Sequence, residues 1–83
     1  MVRYAYTLHE SAAASLLAAR KAERSDLLRF IDALASTPSR REAETVLDEL
    51  GRRNEVAYVG HFRVVYWADH AAKEVRIMDI RQY

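Results

Sequence analysis

The run "GHFRVVYW", residues 60 to 67, sets an arginine inside a stretch otherwise built for a buried β-strand. Side chains alternate faces along a strand, so His61, Arg63, Val65 and Trp67 point one way and Phe62, Val64 and Tyr66 the other. The second set reads as core. A charge on the first face is either solvated or part of a cleft that handles anions. The last segment, "EVRIMDIRQY", repeats the situation, with Arg81 and Tyr83 on the side of Val75, Ile77 and Asp79. If both strands belong to one sheet with a free face, that face gathers His61, Arg63, Arg81 and Tyr83. Plainer readings stand beside this one. A lone strand arginine is most often solvated or in a surface ion pair, terminal residues fray, and His61 next to Gly60 suits a turn.

Other chemistries lack support. His9, His61 and His70 have no partners at zinc-site spacing, and the only glycines, Gly51 and Gly60, are isolated rather than grouped in a phosphate-binding loop. No metal, nucleotide or other cofactor is expected. With no cysteine, disulfides and thiolate sites are excluded.

Several elements must position these residues. "VRYAYT" has the period-2 pattern of a half-buried strand, and "TLHE" places Thr7 three residues before Glu10 as a capping box for a following helix. The Ala-rich "SAAASLLAARKAE" continues that helix. "RSDLLRFIDALASTP" starts a second one, with Ser25 as cap, Leu27, Ile31 and Leu34 on one face, and Pro38 after its end. "SRREAETVLDELG" predicts a third, shorter helix from a Ser39 and Glu42 capping box, the spacing of Ala43, Val46, Leu47 and Leu50, and Gly51 as the stop. Arg52 and Arg53 then sit where a helix C-terminus welcomes cations.

From Asn54 the period changes. "EVAYVG", "HFRVVYWAD" and "KEVRIMDIRQY" are rich in β-branched and aromatic residues, and their short connections allow only antiparallel hairpins. The order β-α-α-(α)-β-β-β gives an α+β fold, an antiparallel sheet with helices packed on one face and the other face free.

Eighty-three residues make one domain, residues 1–83, of which a chain this size buries only about 60% of its unfolded surface. A hydrophobic fraction of 51% with a single proline marks a globular chain rather than a disordered one. The N-terminus lacks an apolar signal core, and no apolar run approaches the roughly 18 residues of a membrane span, so a cytoplasmic protein is expected. The net charge is +1, with the basic excess lying beyond Gly51, a weak pointer to an anionic partner there.

The element order, the proline after the second helix, "HFRVVYWAD" and "EVRIMDIRQY" together resemble the RelE/ParE superfamily of bacterial toxins from type II toxin–antitoxin modules. The resemblance covers nearly the whole chain. Its most specific part is an aromatic residue, arginine, two aliphatics and tyrosine on a central strand, met by Phe62, Arg63, Val64, Val65 and Tyr66. It implies a RelE-like toxin that inhibits translation by cleaving messenger RNA in the ribosome, a metal-independent endoribonuclease whose partners are a cognate antitoxin, the ribosome and mRNA. Arg63 then matches the family arginine that holds the scissile phosphate, and Arg81 the basic residue near the end of the last strand. Tyr83 falls where several members carry a tyrosine that stacks on a base or moves a proton.

This sequence departs from the RelE pattern in having no lysine on the strand before the arginine, where Asn54, Glu55 and Ala57 stand. Another base is then needed, for which Glu44, Glu55 and His61 are candidates. The chain also stops at Tyr83, where many members continue with a helix or tail. A ParE-like inhibitor of DNA gyrase, acting by binding without catalysis, tolerates a site without those lysines, and a non-toxic degenerate member is the third alternative. Trp67 belongs to the core, a stacked base or an antitoxin interface on these readings.

Overall fold

A computed structural model describes residues 2–83. In chain order it contains β1 (Ala5–Leu8), α1 (Glu10–Ala18), α2 (Lys21–Ser36), β2 (Glu44–Leu47), β3 (Arg53–Val59), β4 (Phe62–Asp69) and β5 (Glu74–Gln82). The strands form one sheet in the order β1-β5-β4-β3-β2. The expected α+β architecture is present, with the three C-terminal strands as an antiparallel meander. The sheet is not wholly antiparallel, because β1 pairs with β5 in parallel after the two helices carry the chain across.

Both helices begin differently from the sequence expectation. Thr7 lies in β1 and does not cap. The cap of α1 is His9, whose Nδ1 accepts from the Ser11 N–H at 3.4 Å. The break between the helices falls at Ala19 and Arg20, five residues before Ser25. There Glu23 accepts from the Arg20 N–H at 3.2 Å, and Arg24 donates to the carbonyls of Leu16, Leu17 and Ala19 at 3.2, 3.1 and 2.9 Å. One arginine of α2 thus satisfies the carbonyls that the end of α1 leaves open.

The third helix is not formed. Residues 44–47 are instead the edge strand β2, antiparallel to β3. Leu47 and Leu50, two of the four apolar positions that suggested a helix, are exposed at the hairpin, so the pattern has no core to face. The neighbouring carboxylates are also taken elsewhere: Glu42 accepts from the Tyr66 hydroxyl at 2.6 Å and Glu44 from the Tyr58 hydroxyl at 2.7 Å. Gly51 keeps the left-handed backbone expected of a helix stop, φ +77, but uses it to close the turn between β2 and β3.

The core lies between the helices and one face of the sheet. Leu27, Ile31 and Leu34 of α2 and Ala12 and Leu16 of α1 meet Phe62, Val64 and Tyr66 of β4 and Val75, Ile77 and Ile80 of β5. The assignment of Phe62, Val64 and Tyr66 to the core side holds. In β5 the parity is broken, since Val65 pairs with Asp79 while Tyr66 pairs with Ile77, leaving Met78 as a β-bulge. Val75 and Ile77 therefore face the core, while Asp79 and Arg81 face away from it. The shared side assigned to Val75, Ile77, Asp79 and Arg81 is corrected by that one extra residue.

Leu27 is fully buried at the centre of this cluster. Leu27→Ala should lower the unfolding free energy by about 3 kcal/mol through lost transfer energy and a residual cavity. Urea denaturation followed by circular dichroism checks it; a loss below about 1 kcal/mol would contradict this placement of α2.

Candidate functional site

The face of the sheet turned away from the helices carries the candidate residues. Antiparallel register sets Tyr58 of β3 opposite Arg63 of β4, and Arg63 opposite Arg81 of β5. Directly opposed side chains on one face stand roughly 5 Å apart at Cβ, so the two guanidinium groups share one region. Arg81 has a carboxylate, Asp79, at 3.5 Å. Among the described residues Arg63 has no ion-pair partner, and it is only partly exposed. Two opposed arginines with one carboxylate beside Arg81 leave a local positive field, which is repulsive until an anion enters.

Beside the arginines lies a hydroxyl and carboxylate pair that sequence reading found only in part. Glu44 was a candidate base; Tyr58 was not singled out. Glu44, on edge strand β2, accepts from the Tyr58 hydroxyl at 2.7 Å. That hydrogen bond is the main reason the Tyr58 hydroxyl titrates above its ordinary value of 10.0, with partial desolvation and the Glu44 charge adding and Arg63 opposing. The signal was available in "YVGHFR": a two-residue turn at Gly60 and His61 puts Tyr58 across from Arg63. Gly60 at φ +58 is the residue that permits the tight turn.

The remaining candidates are placed as follows. Tyr83 edges onto Tyr58 with ring centroids 5.2 Å apart, its N–H donates to the His61 carbonyl at 2.9 Å, and its hydroxyl donates to the Gly60 carbonyl at 3.2 Å. It is tied to the hairpin rather than frayed. His61 sits at the tip of that hairpin and lines a small groove with Glu23 and Asp26 of α2, so its side chain is not brought into the arginine cluster. Glu55 lies on the opposite side of the sheet. It is buried there, accepting from the Glu42 N–H at 2.8 Å and pairing with Arg41 and Arg53 at 3.5 Å each. The helix-end role given to Arg52 and Arg53 falls with the third helix.

Next to the arginines the face opens into a groove of about 630 Å³, where Arg81, Asp79, Met78, Val65 and Asn54 face the β2–β3 turn. The middle of the face is not bare, since Asn54, Val56 and Val65 are buried. The turn is held by Asp48, which accepts from the Leu50 and Arg52 N–H groups at 2.9 and 2.8 Å. The Arg52 N–H, above all, keeps the Asp48 carboxyl below its ordinary range. Trp67 is not core. It lies on this same face, half-buried, with the Arg52 guanidinium 4.0 Å from its ring centroid.

Among the described residues no group of three or more His, Cys, Asp or Glu could hold a metal, and no helix is long and apolar enough to cross a membrane. The arginines, the tyrosines and the two carboxylates, Glu44 and Asp79, can hold an oxyanion from two sides and move a proton beside it.

Comparison with known proteins places this geometry in a recognised architecture. No family model matches the chain, and no curated protein matches it. Solved structures do. A chain of the archaeal RelE–RelB complex from Pyrococcus horikoshii superposes with a TM-score of 0.78 at 23% identity, covering 98% of this chain and 96% of that one. A chain of the toxin–antitoxin complex RelBE2 from Mycobacterium tuberculosis gives a TM-score of 0.78 at 20% identity, covering 99% and 100%. The chain therefore has the RelE fold.

Proposed function

We propose that this chain is the toxin of a type II toxin–antitoxin module and acts as a RelE-like, metal-independent endoribonuclease on messenger RNA in the ribosome. The observation that carries the reading is the cross-strand pair Arg63 and Arg81 on the free face, with Arg63 lacking a carboxylate partner among the described residues and Tyr58 bound to Glu44 beside it. The fold supports it, since the similar structures are toxin–antitoxin complexes, and a cognate antitoxin is the partner that follows.

The chemistry is attack of a ribose 2′-hydroxyl on the adjacent phosphate, with formation of a 2′,3′-cyclic phosphate and departure of the 5′-oxygen, which takes a proton from solvent water and leaves as a 5′-hydroxyl. Arg63 and Arg81 hold the non-bridging oxygens and stabilise the charge that grows on them. Glu44 takes the 2′-hydroxyl proton through the Tyr58 hydroxyl, which accepts one proton as it passes its own to the carboxylate. Tyr83 braces the Tyr58 ring. In this arrangement the Tyr58–Glu44 pair stands in for the lysines of the RelE pattern.

Arg63→Ala should reduce mRNA cleavage in a ribosome-containing assay by on the order of 10² or more while the circular dichroism spectrum is unchanged. Full activity in a folded variant removes the proposal. In cells, pulse incorporation of labelled methionine should fall within minutes of induction without the antitoxin, while thymidine incorporation persists. Early loss of thymidine alone would indicate a gyrase-directed, non-catalytic protein, the reading that the lysine-free strand favours. Unaffected growth with abundant protein would indicate a non-toxic member.

The Tyr58–Glu44 hydrogen bond has its own signature. The folded chain holds the Tyr58 proton more tightly than the unfolded chain does. Its contribution to stability is therefore complete below pH 10.0 and is lost as pH rises through the raised folded value. Glu44→Gln should bring the Tyr58 titration down towards its ordinary value, read by NMR of ring-labelled tyrosine, and slow cleavage by about 10²-fold. An unchanged Tyr58 titration in that variant would contradict the coupling.

A further inference from the structure

About 13 Å along β4 from Arg63, four residues at the rise of a strand, the same face carries a second cationic and aromatic cluster. Trp67 pairs in register with Arg76 of β5. The Arg52 guanidinium lies 4.0 Å from the Trp67 ring centroid and that of Arg76 lies 5.5 Å from it. Asp48 holds Arg52 from below the turn, by its backbone N–H at 2.8 Å and its guanidinium at 3.6 Å. Arg76 is anchored by Asp69 and Glu74 at 3.3 and 2.8 Å.

Two donors in this cluster have no acceptor among the described residues: the indole Nε1–H of Trp67 and the Nε–H of Arg76, both buried. A buried donor without a partner costs free energy, so this cluster is not arranged for stability alone. Trp67, Arg52 and Arg76 also line a cavity of about 530 Å³ that shares Arg52, His9 and Met78 with the groove leading to Arg81. One continuous path thus joins Arg81 to the tryptophan.

We propose that Trp67, Arg52 and Arg76 form a second subsite for single-stranded RNA, stacking a base on the Arg52 guanidinium above Trp67 with the charge of Arg76 beside it. This rests on reading the free face as an RNA surface. A guanidinium plane and an indole both stack bases without regard to sequence, so the subsite sets the path and affinity of the strand a few nucleotides from the scissile phosphate. The alternating order of cation and aromatic suits a polyanion whose phosphates and bases alternate; a carboxylate-rich peptide would use the charge but not the stacking planes.

Trp67 is the only tryptophan in the chain, which makes its emission a direct reporter. The probe is a short 2′-O-methyl oligonucleotide, which the proposed chemistry does not cleave, titrated at low salt and followed by tryptophan fluorescence. Binding is measured independently by anisotropy of a labelled copy. Saturable quenching of Trp67 that tracks the anisotropy is expected. Arg63→Ala should weaken binding yet keep the quenching at saturation. Arg52→Ala should weaken binding about tenfold, and Arg52→Lys, which keeps the charge but not the planar fork, should lose most of that affinity too.

If the oligonucleotide binds while Trp67 emission stays constant and both Arg52 variants bind as the parent does, the subsite is wrong and the RNA reading of the arginine pair survives. If anisotropy does not change at low salt, the RNA reading of the whole face fails and the subsite with it. Quenching by an acidic peptide, with none by the oligonucleotide, would overturn the subsite in favour of a protein ligand. Circular dichroism of each Arg52 variant separates loss of the subsite from loss of the fold.

Discussion

A single extra residue in β5 governs the arrangement of both faces of the sheet. Without the bulge at Met78, strict alternation would put Asp79, Arg81 and the buried Val75 and Ile77 on one side. Either two apolar residues would leave the core or two charges would enter it, and a domain with so small a core could accommodate neither. The bulge lets β5 give Val75, Ile77 and Ile80 to the helices and Arg81 to Arg63. It also places Met78 on the free face, where it borders both the groove at Arg81 and the tryptophan cavity.

The segment from residue 37 to 52 is the second structural decision. It leaves α2 and crosses the edge of the sheet, pinned by carboxylates rather than by apolar burial. Glu42 receives the Tyr66 hydroxyl and pairs with Arg40 at 2.8 Å, while Glu55 receives the Glu42 N–H. Burial and the Glu42 hydrogen bond push the Tyr66 hydroxyl far above its ordinary range, so this anchor stays protonated and closed at any physiological pH. Once the segment is fixed, β2 brings Glu44 to Tyr58 and the following turn brings Arg52 over Trp67.

The proposed function sits on a face that stability alone does not favour. Among the described residues, opposed like charges, a cation without a carboxylate and two unpartnered donors each cost a little, and together they occupy one side of one sheet. Such features gather where a ligand supplies the missing partner. The RelE fold at 20 and 23% identity in the similar chains fits this division. The core side needs only apolar residues of suitable volume, whereas the free face can change its side chains without disturbing the packing.

Much of this was readable in the residues because the signals are local. Alternation in residues 61–69 separated Phe62, Val64 and Tyr66 from Arg63, the helical stripe of α2 named its buried residues, and the short connections required the antiparallel meander. Three things were not local. The "TVLDEL" segment has a helical spacing of apolar residues, and only the free edge of β3 turned it into a strand. The bulge shows in β5 only as a slip of the apolar period, from Val75 and Ile77 to Ile80, and pairing with β4 decides that Met78 is the extra residue. Pairing across the sheet then joined side chains far apart in the chain, Glu44 to Tyr58 and Arg63 to Arg81, and parted His61 and Glu55 from them. Periodicity tells which residues face the same way; register and hydrogen-bond partners, set when the whole chain packs, fix which of those residues meet.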